Sequence, residues 1–197
     1  ERLSSAVRAE GLLKFGYLVR LIGRMKLPSV MEWLENFLQE SDEKIIVFTL
    51  HKKVMHALRE KFPDVSTHVD GSITGKKRQL SFEKFLSVNK CRILFGNLRA
   101  AGVGWSGKGV SNVMFCEFCT VPGLHTQGED RCIGIGRGQE GISTSIWWLT
   151  VRDSIEERLV KIVQSKQKTL SKTLDGRGCA DDLDVYDQLV QELRKEM

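Results

Sequence analysis

The chain contains 197 residues with a mass of 22.3 kDa, a formal net charge of +5, 41% hydrophobic residues and 28% charged residues. This length fits one domain, or one domain with an appendage, and a chain of this size buries enough apolar surface to fold without disulfide bonds. Its apolar runs are short and interrupted, well below the roughly 20 residues of a membrane-spanning helix. Composition therefore predicts an ordinary globular domain that does not cross a membrane.

Charge is divided unevenly along the chain. Residues 180–197 contain six acidic and two basic side chains, so they carry −4 and residues 1–179 carry +9. A basic body permits a polyanionic partner, although many basic proteins bind none. The five cysteines, an odd number, are typical of reduced thiols in an intracellular protein. Because the chain opens at Glu1 without a methionine or an apolar leader, we expect a fragment of a longer protein and no targeting segment.

Helix and strand patterns alternate along the chain. Residues 29–39 place apolar side chains on one helical face, and the continuous apolar run at 44–50 is typical of a strand covered on both faces. Further helices are predicted at 51–62, 74–86, 125–133 and 154–170, and further strands at 66–69, 92–95, 112–116 and 145–150. The alternation predicts an α/β fold, a parallel sheet with helices on both faces.

Functional residues in parallel sheets gather in the loops after the carboxyl ends of the strands. Here those loops are predicted at 50–53, 70–75, 96–107 and 117–127. Gly102, Gly104 and Gly107 match the letters G-x-G-x-x-G, but that motif must open a helix, and only a short loop follows before the next strand. We interpret it as a tight turn that approaches a phosphate or simply connects strands. Gly71 and Gly75 are one residue too close for a P-loop, so the chain lacks the usual cradle for nucleotide phosphates.

Cys116 and Cys119 form a C-x-x-C pair that His125 and Cys132 follow, a pattern that invites a zinc site. Cys116 ends an apolar strand and Cys132 follows a helical stretch, so we expect the four side chains not to converge. The cysteines then behave as small buried hydrophobic residues, and no metal site is predicted. The histidines are scattered singly and fit no catalytic triad.

Gln127, Asp130 and Arg131 stand at near one-turn spacing in a polar stretch that continues through glycines to Arg137. Arginine presents rigid, permanently charged donors that suit phosphate oxygens. A solvated helix end with a local Asp130–Arg131 pair explains the same spacing, so the residues alone leave both interpretations open. Trp105, close to two glycines in a loop, is a candidate to stack on a ligand.

Taken in chain order, the loops carry a series of short motifs. They are the strand 45–48, D-G-S at 70–72 followed by Arg78 and Phe85, R-A-A-G-V-G at 99–104, Glu117 and Pro122, Q-G-E-D-R at 127–131, and D-S-I-E-E-R at 153–158. The ordered series resembles the C-terminal RecA-like lobe of superfamily-two helicases, specifically the Swi/Snf family of ATP-dependent DNA translocases, over residues 20–175. Residues 117–123 are similar to the annealing-helicase and phage-like branch. Gly134 stands where the family has a second arginine, a position that Arg137 reaches only with an insertion.

The resemblance implies a RecA-like helicase C-terminal domain at 28–175, a basic N-terminal extension at 1–27 and an acidic C-terminal helix at 176–197. It also implies that ATP and Mg²⁺ are held mainly by an N-terminal RecA-like lobe of the same parent protein. The other implied partner is the backbone of DNA, in duplex form. The P-loop and the carboxylates for the metal ion belong to that first lobe.

Residue roles follow from the same resemblance. Arg131 and Arg137 are implied to act as arginine fingers, which stabilise the charge on a γ-phosphoryl group during transfer. The other implied nucleotide-site residues are Gln127, Asp130, Gly102 and Gly104. The implied DNA-backbone residues are Lys52, Ser72, Arg78, Arg99 and Trp105, with Arg78 alternatively bracing that surface or lying on a helix surface. Two alternatives stay open: a nucleic-acid or partner-binding module without a nucleotide role, and the C-terminal lobe of an RNA helicase.

Overall fold

The computed structural model describes residues 5–101, 110–133, 143–172 and 185–190. Its strands are β1 (Ile45–Thr49), β2 (Ser66–Val69), β3 (Ile93–Asn97), β4 (Asn112–Phe115) and β5 (Ser145–Trp148). Its helices are α1 (Ser5–Met25), α2 (Leu27–Glu40), α3 (Lys52–Lys61), α4 (Gly75–Ser87), α5 (Leu98–Ala101), α6 (Pro122–Ile133) and α7 (Ile155–Lys172). Residues 185–190 are also helical.

The five strands form one parallel sheet in the order β2-β3-β1-β4-β5. β1 is the central strand, and its Val47 lies opposite Phe95 of β3 and Met114 of β4. All five residues of β1 are buried, as expected for a strand that is covered on both faces. Because every strand points the same way, the loops that follow the strands lie together at one edge of the sheet. We call it the carboxyl edge.

Separate apolar layers cover the two faces of the sheet. α2 and α3 pack on one face, where Leu34, Leu58 and Val47 are fully buried. α4, α7 and the helical residues 185–190 pack on the other face, around side chains such as Phe48 and Phe85. Burying each of these large side chains is worth roughly 1.5–3 kcal/mol, so the alternating residues of the strands fix which helix covers which face.

The predicted parallel α/β fold is confirmed, and all five predicted strands and five predicted helices are present with ends within a few residues. Two helices, α5 and α1, were not predicted from the sequence. α5 is a single turn inside a predicted loop. α1 buries Val19 on one side while Leu13 and Tyr17 are 76% and 67% exposed, so its apolar residues do not form the single stripe by which helices are recognised. Within the described ranges, no helix has both the length and the apolar character to cross a bilayer.

Candidate functional site

The ends of β1, β3 and β4 are tied together at the carboxyl edge by the side chains of Glu117 and Asn97. Glu117 is only 1% exposed, and its Oε2 atom accepts the backbone N–H groups of Leu50 and His51, both at 2.9 Å. Its Oε1 atom lies 2.6 Å from Nδ1 of His51. At the end of β3, the Asn97 side-chain amide donates to the carbonyl of Leu50 at 2.9 Å. A buried carboxylate needs such compensation, and here it fixes the relative positions of three loops.

α1 closes over the same edge. A Cβ atom on Gly23 of α1 would lie 2.3 Å from Oε1 of Glu117, so only glycine allows the helix to come this close. Just beyond α1, Lys26 is buried and its ammonium group lies 2.6 Å from Glu156 at the start of α7. Lys26 also donates to the carbonyl of Leu149 at 2.8 Å. These contacts join the end of α1 to the loop after β5.

Glu156 is the acid that receives Lys26. Burial raises the pKa of Glu156, and the nearby charge of Lys26 and its hydrogen bond oppose that rise only in part. The second carboxylate oxygen accepts the backbone N–H of Val151 at 3.2 Å. Because a buried ion of either sign is costly without its partner, the pair acts as a structural clamp between α1 and α7.

The loop after β2 presents Ser72 at the carboxyl edge. Its backbone N–H donates to Oδ1 of Asp70 at 2.8 Å, and its hydroxyl group donates to the same oxygen. The hydrogen bond from the Ser72 side chain lowers the pKa of Asp70, and the positive charge of Lys52 lowers it further. Asp70 therefore shapes the turn, while Ser72 itself stays exposed and Lys52, the first residue of α3, lies near enough to act on the same carboxylate.

Arg78 braces the neighbouring loop. Its guanidinium group donates to the carbonyl of Ala100 in α5 at 2.5 Å and lies 5.8 Å from the ring centre of Phe82. The backbone N–H of Arg99 donates to the side chain of Asn97 at 3.2 Å, which caps the same short helix. Arg99 projects an exposed side chain from α5. Of the three possibilities given for Arg78, these contacts support the bracing role.

Gln127 and Asp130 lie on the exposed side of α6, whereas Gly128 between them faces the sheet. A Cβ atom on Gly128 would lie 3.1 Å from the Phe48 ring, so this glycine lets α6 lie close to the strands. Arg131 belongs to α6 one turn after Gln127, and the structure describes its backbone but not its side chain. The helix therefore brings positions 127, 130 and 131 onto neighbouring turns.

Several predicted site residues fall outside the described ranges: Gly102, Gly104, Trp105, Gly134 and Arg137. Their predicted roles remain predictions. The described residues bring Lys52, Ser72, Arg78 and Arg99 to the carboxyl edge, together with the start of α6.

The cysteine pair does not come together on one side of the sheet. Cys116 packs in the layer with α2 and α3, whereas Cys119 lies in the opposite layer with its sulfur 4.0 Å from Nδ1 of His125. Burial raises the pKa of Cys116 to about 12, so its thiol stays protonated. Among the described residues, no group of three or more His, Cys, Asp or Glu side chains is arranged to hold a metal ion. The side chain of Cys132 is not among them.

Sequence reasoning missed the two buried polar pairs that hold the edge together. Glu117 was noted only for its spacing, and His51 was one of the scattered histidines. Lys26 and Glu156 are 130 residues apart in the chain. The only local signal for either pair is an acidic residue next to an apolar run, which does not identify its partner.

Residues 27–136 match the protein family described as "Helicase conserved C-terminal domain". A bovine SWI/SNF-related matrix-associated actin-dependent regulator of chromatin subfamily A-like protein 1 is 29% identical over 150 residues, which is 75% of this chain and 16% of the relative. The human DNA annealing helicase and endonuclease ZRANB3 is 26% identical over 155 residues, 77% of this chain and 14% of the relative. The chain thus spans about one sixth of the length of these relatives.

Two solved structures share the fold. The crystal structure of the C-terminal part of the Fun30 ATPase domain matches with a TM-score of 0.64 and 22% identity. The match covers 86% of this chain and 54% of the Fun30 chain. The Sulfolobus solfataricus SWI2/SNF2 ATPase core in complex with dsDNA matches with a TM-score of 0.69 and 17% identity. The match covers 98% of this chain and 43% of the Sulfolobus chain. The predicted RecA-like sheet and the resemblance to the C-terminal lobe of Swi/Snf helicases are confirmed.

Proposed function

Because this chain belongs to the helicase conserved C-terminal domain family, we propose that it is the second motor lobe of an ATP-dependent DNA translocase or helicase of the Swi/Snf type. The observation that carries the proposal is the convergence of Lys52, Ser72 and Arg99 with the start of α6 at one edge of a RecA-like sheet. One relative is named as a DNA annealing helicase, and one structure of the same fold was solved with dsDNA. The partner of this lobe is an N-terminal RecA-like lobe of the same parent protein, inside the cell.

The proposed role in nucleotide chemistry is electrostatic. Arg131, joined by Arg137, stabilises charge on the phosphoryl group in transfer. Asp130 orients Arg131, and Gln127 senses the phosphates or the neighbouring lobe. The backbone at Gly102 and Gly104 approaches the phosphates. The chain has no P-loop and its described residues offer no carboxylate cluster for Mg²⁺, which supports assigning ATP and the metal ion mainly to the first lobe.

The proposed role in DNA binding is to contact the phosphate backbone. Lys52, Ser72 and Arg99 contribute exposed groups at the carboxyl edge, and Trp105 adds a stacking surface. Arg78 holds α5 in place through the carbonyl of Ala100. Backbone contacts carry no sequence information, which suits a motor that moves along any duplex.

Charge reversal at Arg131 tests the proposal in the parent polypeptide that carries both lobes. Arg131→Glu is expected to reduce DNA-stimulated ATP hydrolysis by about 10³-fold or more while DNA affinity is retained, because an arginine finger acts on the transition state. Lys90→Glu is the matched control, since Lys90 lies in an exposed turn before β3, at the opposite edge of the sheet. Retained hydrolysis in Arg131→Glu would contradict the motor role.

The same experiment decides the main alternative. Gly134 in place of the family's second arginine favours a binding module without a nucleotide role, and that module predicts no change in ATP hydrolysis on charge reversal. A comparison of duplex DNA with duplex RNA as the stimulating polymer separates a DNA motor from the lobe of an RNA helicase. Preferential stimulation by RNA would contradict the DNA assignment.

A further inference from the structure

A basic groove runs between α1 and the carboxyl edge of the sheet. It consists of two adjoining cavities that share Arg20 and His51 as lining residues. One cavity has a volume of about 230 Å³ and reaches Arg99. The other has a volume of about 280 Å³ and is lined by Arg24, Lys52 and Lys53 as well. We call the two together the α1 groove.

The α1 groove is rich in positive charge. Five basic side chains line it: Arg20 and Arg24 from α1, Lys52 and Lys53 from α3, and Arg99 from α5. No Asp or Glu is among the described residues that line the two cavities, and the carboxylate of Glu117 lies buried beneath them. None of the five basic side chains forms a salt bridge within the described part of the chain. Cations held this close repel one another, and a bound anion relieves that repulsion.

The start of α3 adds to the same field. α3 has ten residues, no acidic residue in its first turn and no side chain that caps its first N–H groups. The amino end of a helix carries a partial positive charge, and its unpaired N–H groups favour an anion. Here lysines occupy the positions where acidic residues would balance that charge. The helix end and the five cations therefore act in the same direction.

The walls of the groove are held in place from below. Glu117 is buried, and its carboxylate oxygens are occupied by the backbone N–H groups of Leu50 and His51 and by the His51 ring. The contact of Gly23 with Glu117 and the Lys26–Glu156 pair fix α1 against the sheet. Arg20 and Arg24 thus project from a rigid element towards Lys52 and Lys53, and little ordering is needed when an anion binds.

We propose that the α1 groove binds phosphate groups of a nucleic-acid backbone, with Arg20 and Arg24 as contacts on the wall that faces Lys52. The proposal rests on the proposed function, because Lys52 joins the groove to the surface assigned there to DNA. It goes further because α1 precedes residue 27, where the match to the helicase family begins. The wall that α1 supplies therefore has no counterpart in the motifs that support that match.

The test measures binding of a fluorescently labelled duplex DNA to this chain at several salt concentrations. Each phosphate contact contributes about 0.9 to the slope of log affinity against log salt. The double variant Arg20→Ala, Arg24→Ala is expected to lower that slope by about 2 and to weaken binding about tenfold or more at low salt. Arg20→Lys, Arg24→Lys keeps the charge and is expected to retain most of the slope.

The matched control is Lys61→Ala, Lys161→Ala. It removes the same charge from two exposed lysines, which pair with Glu35 and Glu157 and line neither cavity. We expect the control to leave the slope unchanged. An equal loss in the control would overturn the proposal, since the effect would then reflect net charge alone. Thermal unfolding of each variant checks that it is folded, and Lys52→Ala, Lys53→Ala probes the opposite wall independently.

A second probe distinguishes the two sources of phosphate. With ATP alone and no DNA, the double variant Arg20→Ala, Arg24→Ala is expected to behave as the unmodified chain does, because the first lobe is assigned most of the nucleotide contacts. Loss of ATP binding with unchanged DNA binding would overturn the proposal and identify a nucleotide phosphate site. If DNA binding by the unmodified chain depends on salt and the double variant shows the same slope, the assignment of the α1 groove to phosphate binding is refuted. The motor-lobe proposal is then still tested separately, by the Arg131 experiment.

Discussion

Lowering the pH is expected to destabilise the chain through His125. This residue of α6 is fully buried among aromatic rings, with its own ring centre 4.9 Å from that of Trp148 and 5.2 Å from that of Phe115. Its Nδ1–H group donates to the carbonyl of Val121 at 3.2 Å, and Nε2 has no hydrogen-bond partner within the described residues. Burial lowers the pKa of His125 to about 4, an effect that the Val121 bond only partly opposes.

The size and sign of the effect follow from this pKa. The unfolded chain takes up a proton near pH 6.5, whereas the folded chain resists it until about pH 4. Between these values the unfolded state binds more protons, so the free energy of unfolding falls as the pH falls. The shift corresponds to a loss of about 3 kcal/mol when complete, of which about 1 kcal/mol is reached at pH 5.5.

Urea unfolding of the original chain and of His125→Phe, at pH 7.5, 5.5 and 4.5, measures this loss. Phenylalanine fits the aromatic surroundings and takes up no proton, so the other titrating groups cancel in the comparison. The stability of the variant relative to the original chain is expected to rise steadily as the pH falls. His56→Gln, at an exposed histidine, controls for the removal of an imidazole. If the free energy of unfolding of His125→Phe differs from that of the original chain by the same amount at pH 7.5, 5.5 and 4.5, the reasoning is refuted.

Three further predictions concern the clamp, the close approach of α1 and the isolated lobe. Lys26→Met leaves Glu156 buried without its partner, so unfolding in urea should show a loss of about 3–5 kcal/mol, largely recovered when Glu156→Gln is added; no recovery would contradict the clamp. Gly23→Ala should lower the free energy of unfolding by about 1–3 kcal/mol, because the added methyl group pushes against Glu117. Gly16→Ala, with open space around it, should leave stability unchanged or raise it by up to about 1 kcal/mol. Equal shifts of the melting temperature in the two variants would count against the contact. The isolated chain should hydrolyse no ATP above background with duplex DNA present, and clear turnover in a steady-state assay would disprove the half-site assignment.

The strands were predictable because parallel strands covered on both faces are continuous apolar runs, as in β1. The helices α2, α3 and α7 were predictable because each buries one stripe of apolar residues. α1 was not, since its apolar residues face both the core and the solvent, and their pattern averages out. Which residues of α1 face the core becomes apparent only from the position of the helix against the sheet.

The candidate site was predictable where short motifs follow strands, as at Ser72 and Arg99. The contacts that position those residues were not, because they join distant parts of the chain. Glu117 and His51 are 66 residues apart, and neither has a neighbour in sequence that announces the pairing. For Arg78, the resemblance implied a DNA-backbone contact or a bracing role and its place on a helix allowed a plain surface role; only the position of Ala100 in the fold favours bracing.

The backbone of Leu50 is hydrogen-bonded on both of its sides, its N–H donating to Glu117 and its carbonyl accepting from Asn97. The tips of three adjacent strands are consequently linked in series, with no slack segment between them. Displacing the tip of β3 relative to that of β4 has to break one of these hydrogen bonds or move the backbone of Leu50 as well. The end of β3, from which α5 and Arg99 follow, is therefore coupled to the loop that leads into α6.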